Sequence, residues 1–107
     1  MSSINVVLCN CPADQAELIA RTLVEQRLAA CVNLLPRVTS IYHWEGEVKT
    51  DVETTLLIKT ATDRVPALCE GIKALHPYAL PEIVVLRVDG SASSKAYLDW
   101  VVAETQF

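Results

Sequence analysis

Apolar positions recur along this chain with two different periods, and the changes of period mark its elements. Residues 4–9, INVVLC, form a short run rich in β-branched side chains, the pattern of a strand buried on both faces. The period then becomes helical, with Ala16, Ile19, Ala20, Leu23 and Val24 in one stripe and Asp14 placed to cap, Glu17 lying three residues on. From Cys31 to Trp44 the chain returns to β-branched and aromatic residues, broken by Pro36, which donates no ladder hydrogen bond and so predicts a bulge or an edge. EGE at 45–47 reads as a turn. Beyond it, Val48, Val52, Leu56 and Ile58 share a period-two stretch with Lys49, Asp51, Glu53 and Lys59, which completes one long hairpin.

A second helix follows, capped by Thr62 or Asp63, with Pro66 in its first turn and Val65, Leu68, Cys69, Ile72 and Leu75 at helical spacing. It stops near His76, because Pro77 disfavours a helical residue before it. EIVVLRV at 82–88 predicts another buried strand, Asp89-Gly90 a turn, and Ser93 or Ser94 the cap of a last helix carrying Tyr97, Leu98, Val101 and Val102.

This order predicts an α+β fold over residues 1–107 as a single domain: a ferredoxin-like split βαβ sandwich, βαββαβ plus a C-terminal helix. Its long β2-β3 hairpin is mismatched to the rest. An arm of about 14 residues spans roughly 45 Å, whereas the six-residue first strand offers about 20 Å of edge. Half of the hairpin therefore overhangs, with Ile41, Tyr42, Trp44 and Val48 beside unpaired backbone groups. Another subunit is the simplest cover, so the expected state is an obligate homo-oligomer closed by strand pairing.

Composition narrows the function. With 51% hydrophobic and 21% charged residues and a formal net charge of −4, the chain lacks the clustered Lys and Arg of a nucleic-acid binder. No basic segment precedes the first apolar run and no stretch is long enough to cross a bilayer, so the expected location is cytoplasmic and off the membrane. The four cysteines follow no paired Cys-x-x-Cys pattern and are expected as reduced thiols. No Gly-rich phosphate loop, no Ser/His/Asp set and no recognisable carboxylate pair appears, so no enzyme activity is expected.

The topology places the end of the first strand, the hairpin tip and the loop after the second helix at one end of the domain. Cys9, Cys11, His43, Glu45, Glu47, His76 and Glu82 gather there, a thiol, imidazole and carboxylate set that suits copper or zinc. Each also has a structural reading. His76 can bond the last carbonyls of its helix, Cys9, Cys31 and Cys69 can be small core residues, and His43, Glu45 and Glu47 can be a solvated turn. Cys11, just before the first helix, sits where a helix N-terminus lowers a thiol pKa and is the candidate reactive thiol. Tyr42 and Trp44 are expected to pack between subunits beside a cleft.

The segments ARTLVEQRLAACVNLLP, SIYHWEGEV, LLIKT and HPYALPEIV resemble, in order and across nearly the whole chain, the CutA family of divalent-cation tolerance proteins. The resemblance implies a ferredoxin-like homotrimer, cytoplasmic in bacteria, tied to tolerance of copper and other divalent cations and similar in architecture to the PII signalling trimers. It implies copper(II), or another divalent cation, weakly bound by Cys9 and His76, with Leu75 standing where the family pattern has a first His; Cys11 and Glu82 are possible additional ligands. The alternative it leaves open is a PII-like regulatory trimer whose inter-subunit clefts bind a small anionic ligand or a protein partner, with Arg37, Lys49 and Lys59 as the cations available to such a ligand.

Overall fold

Two apolar helical stripes and one apolar sheet face close on each other to make the core. The structure, a computed structural model, describes residues 2–106. Its elements are β1 (Ile4–Cys11), α1 (Ala13–Glu25), β2 (Cys31–Trp44), β3 (Glu47–Ala61), a 3-10 turn (Thr62–Arg64) leading into α2 (Val65–Leu75), β4 (Val84–Arg87) and α3 (Lys95–Glu104). The four strands form one antiparallel sheet in the order β2-β3-β1-β4, which is the expected ferredoxin-like arrangement. Val7, Cys9 and Cys11 of β1 and Leu56 and Ile58 of β3 meet Ile19 and Leu23 of α1 and Leu68 and Ile72 of α2. A smaller cluster joins Ile4 to Leu98 and Val101 of α3. No helix among the described residues is long and apolar enough to cross a membrane.

Several boundaries differ from the sequence reading, and at β1 the reason is that strand pairing outweighs local capping. β1 runs on to Cys11 because Asn10 and Cys11 pair with Thr55 and Thr54. The chain then enters α1 directly, with Pro12 at the N-cap and Asp14 inside the first turn, capping nothing. Thr62 and Asp63 likewise fall in the 3-10 turn, and Arg64 precedes α2 without a side-chain cap. Ser94 does cap α3, its hydroxyl accepting the Tyr97 N–H at 3.3 Å. β4 is only Val84–Arg87, and neither it nor β1 is covered on both faces: Val6, Leu8 and Asn10 stay half-buried, and Val84, Val85 and Leu86 are exposed. Helices lie on one face, and among the described residues the other face is left partly open. Cys31 and Cys69 are half-buried at the core's margin rather than within it.

The hairpin shows the overhang expected of it. β1 pairs with Ile4↔Ala61 through Cys11↔Thr54, while β2 and β3 continue past that point from Val38↔Glu53 to Trp44↔Glu47. Ile41, Val48 and Val52 are 70%, 64% and 65% exposed there. A register shift between Leu35 and Val38 marks the bulge demanded by Pro36, with Arg37 at φ +56°. At the tip Glu45 (φ +51°) and Gly46 (φ +81°) both occupy the left-handed region, as a two-residue hairpin turn matched to strand twist requires.

Gly46 meets that requirement at no cost, but Glu45 does not. Glu45→Asn should therefore stabilise the chain by ~0.5–1 kcal/mol, read as a higher denaturant midpoint with unchanged slope; an unchanged or lower midpoint would show that the turn is not strained at this residue.

Candidate functional site

Where β1 ends, the overhanging arms of the hairpin and the loop after α2 enclose a groove of ≈ 1040 Å³. Tyr42, Trp44, Asp51, Glu53, Tyr78 and Glu82 are among the residues that line it. Its geometry starts from His76. Pro77 ends α2, and His76 takes an extended conformation (ψ 135°), its backbone N–H closing on the Ile72 carbonyl at 2.8 Å. The side chain does not return to the helix carbonyls. It turns inward, 7% exposed, with Nε2 2.7 Å from the Asn10 carbonyl oxygen and Nδ1 accepting the Tyr78 N–H at 3.1 Å. A carbonyl only accepts, so Nε2 carries the hydrogen and Nδ1 the lone pair. The imidazole is a neutral clamp between the end of β1 and the loop, and the Tyr78 ring packs against it at 4.7 Å between centroids.

Tyr78 transmits that placement outward. Its hydroxyl donates to Glu53 Oε2 at 3.0 Å, and burial followed by this bond pushes the phenol up to about 12. Glu53 is itself only 7% exposed. Between the paired arms of the hairpin the Tyr42 hydroxyl bonds the Asp51 carboxylate. Asn10 accepts from Thr55 Oγ1 at 2.6 Å through its side-chain oxygen and donates to Glu82 Oε1 at 3.4 Å.

The remaining candidates are placed less favourably for a metal. Cys9 and Cys11 are fully buried on the core face of β1. Burial first, then neighbouring Cys11, Glu82 and Glu53, pushes the Cys9 thiol up to about 12; burial, then Glu53, pushes Cys11 up to about 11. The expected lowering of Cys11 by the α1 N-terminus fails because Cys11 belongs to the strand. A metal needs a thiolate and an imidazole lone pair, yet Cys9 is fully buried on the core face and both His76 nitrogens are hydrogen-bonded. Cys9 and His76 as they stand do not fit a copper ion. Among the described residues no three His, Cys, Asp or Glu side chains converge to hold one; Cys11 stays in the core and Glu82 faces Asn10.

Of the cleft residues, Tyr42 and Trp44 line the groove, as does His43. Arg37, Lys49 and Lys59 do not. Arg37 sits in the bulge, Lys49 pairs with Glu47 at 3.0 Å, and Lys59 bonds the Asn33 side chain. The groove's lining therefore offers carboxylates, not cations, among the described residues. Sequence reasoning missed Asp51, Glu53 and Tyr78 as site residues. Glu53 looked like one more solvent-facing charge, and only the tight proline bounds of HPYALPE could have flagged Tyr78 as a fixed ring.

A profile of the family described as CutA1 divalent ion tolerance protein matches residues 5–104. The chain belongs to that family. It is 52% identical over 101 residues to the divalent-cation tolerance protein CutA of Thermus thermophilus, covering 94% of this chain and 96% of that one. It is 43% identical to mouse protein CutA over 97% of its own length but only 58% of the mouse protein's. Among solved structures, the PII-like protein CutA from Nostoc in apo form superposes with a TM-score of 0.92 at 48% identity, covering 95% of this chain and 97% of that one. CutA1 from Oryza sativa superposes at 0.93 with 37% identity, covering 98% and 95%. The CutA family carries a PII-like fold and is not a family of enzymes.

The buried thiols give the family member a measurable alkaline limit. An unfolded thiol ionises near 9.0 and folded Cys9 near 12, so between these values the unfolded chain holds fewer protons and stability falls as pH rises, by ~1.4 kcal/mol per pH unit for each such thiol; below pH 9 both states keep the proton and the contribution is flat. Unfolding titrations across this window should show that decline, and Cys9→Ala should flatten it by about one thiol's share. A slope identical in the variant would mean that the Cys9 thiol is not held protonated.

Proposed function

We propose that this chain acts as a homotrimeric, non-catalytic protein of the divalent-cation response, in which the clefts between subunits are the working sites. The observation that carries the reading is the overhang: Val38–Trp44 and Glu47–Glu53 pair only with each other, beyond the end of β1, and expose Ile41, Val48 and Val52. Covering such a surface with further copies is the economical solution for a closed assembly, and three is the number implied by the resemblance. The groove lies at the foot of these arms, so assembly by strand pairing sets a neighbour beside it.

The cation part of the reading rests on the names of the relatives, which are divalent-cation tolerance proteins. Copper(II) or another divalent cation is, in this proposal, bound weakly and not in a centre preformed by Cys9 and His76, whose donor atoms are committed elsewhere. Four free cysteines, two of them fully buried, suit a reducing compartment such as the cytoplasm. The PII-like alternative shares the same cleft, but its small anionic ligand would need cations from a neighbouring subunit, because this chain's share of the lining is acidic.

Sedimentation of the full chain should give a compact trimer that persists on dilution, and Ile41→Asp combined with Val48→Asp should dissociate it into poorly folded monomers. A compact, soluble wild-type monomer would sink the assembly. Equilibrium dialysis against Cu(II) under thiol-protecting conditions should give the same weak retention for the wild type and for His76→Ala; stoichiometric copper lost in the variant would restore His76 as a ligand.

A further inference from the structure

The two residues that the family pattern would give to a cation meet instead at one backbone atom. The carbonyl oxygen of Asn10 lies 2.7 Å from His76 Nε2 and 3.8 Å from Cys9 Sγ. A carbonyl offers lone pairs only, so the imidazole meets it as the Nε2–H tautomer. The other ring nitrogen, Nδ1, is taken by the Tyr78 N–H at 3.1 Å. Leu75, standing where the pattern has its first His, packs against the main core. To reach an imidazole lone pair here, a cation would have to break the bond that holds Tyr78.

What that bond secures is the loop after α2. Residues 77–83 form neither helix nor strand, and side chains fasten them. His76 grips the end of β1 through the Asn10 carbonyl and the start of the loop through the Tyr78 N–H. The Asn10 side chain, itself fixed by Thr55 Oγ1 at 2.6 Å, reaches Glu82 near the far end of the loop at 3.4 Å. With its N–H pinned and its ring 4.7 Å from the imidazole, Tyr78 is aimed at β3, where its hydroxyl donates to Glu53 Oε2 at 3.0 Å. Glu53 is only 7% exposed, and a buried carboxylate deprived of a donor costs more than the bond itself contributes. The aim of Tyr78 therefore matters to the groove wall, and His76 sets it.

We propose that His76 is a positioning residue: as the neutral Nε2–H tautomer it latches the loop after α2 to the end of β1 and, through Tyr78, holds Glu53 in the groove wall, in place of ligating a cation. The inference rests on the reading of the groove as a working cleft only for what the latch serves.

Nitrogen NMR of the full-length protein, labelled at histidine and measured near neutral pH, should find the His76 ring as the Nε2–H tautomer and unmoved by added zinc chloride; His43→Gln tells the two histidines apart. Amide exchange supplies the second readout. The Tyr78 N–H should exchange about tenfold faster in His76→Ala, as loss of one hydrogen bond predicts. His76→Gln, whose amide can accept from Tyr78 and donate to Asn10 at once, should restore protection to within about threefold of wild type. In unfolding equilibria Tyr78→Phe should cost clearly less on the His76→Ala background than on the wild type, because the two residues act as one latch. If His76→Ala does not fold, the tautomer, the zinc titration and the Gln variant decide. A ring with its hydrogen on Nδ1, ring nitrogens that shift with zinc, a Gln variant without Tyr78 protection, or additive costs for the two substitutions would overturn the proposal. Sedimentation of the same samples keeps the readings apart: a monomer counts against the assembly alone, and zinc on the imidazole against the latch alone.

Discussion

A mismatch of strand length governs this molecule. β1 has 8 residues, whereas β2 and β3 have 14 and 15, and hydrogen bonding between antiparallel strands stops where the shorter one ends. Everything distinctive follows from that stop. The paired half of the hairpin belongs to the core and carries Leu56, Ile58 and Thr60, all fully buried; the unpaired half has a backbone satisfied only on its inner side and side chains that no helix reaches. The groove exists because the chain turns away at Pro12 just as the hairpin continues.

The same stop explains why the chemistry of the site is quiet. The cysteines at the end of β1 fall on the face packed by the two long helices, so dehydration silences their thiols. His76 reaches the last carbonyl available before the turn and spends its ring there. What remains open to solvent is a wall of phenols, indole and carboxylates, chemistry suited to holding a guest and ill suited to bond making.

Most of the architecture was legible in the sequence because period-two and period-3.6 patterns report burial directly: the helix stripes, the hairpin with its Pro36 bulge and the order of elements all follow from them. The starts of α1 and α2 were not, since Asp14, Thr62 and Asp63 are good caps that end up past the N-cap or in the 3-10 turn, whereas Ser94 caps α3 as expected. Burial of β1 and β4 on two faces was over-read, because an apolar run does not say which chain will cover it. At the site, Tyr42 and Trp44 could be found as exposed aromatics in an overhang, but Glu53 was invisible: its alternation with Asp51 reads as a solvent-facing charge pattern, and only the third dimension brings Tyr78 over it. The resemblance pointed to Cys9 and His76 by position, whereas their hydrogen bonds and burial are properties of the packed state.

The bulge at Pro36 and Arg37 has a consequence for how such a chain can change over generations. It separates the hairpin into a base whose register is locked to β1 and an arm whose register is set only by its own two strands. Paired insertions or deletions beyond the bulge would lengthen or shorten the arm without shifting one core residue to the wrong face. The fold is in this sense modular along a single hairpin: the base is held in register by the core, and the arm beyond the bulge is tied only to itself.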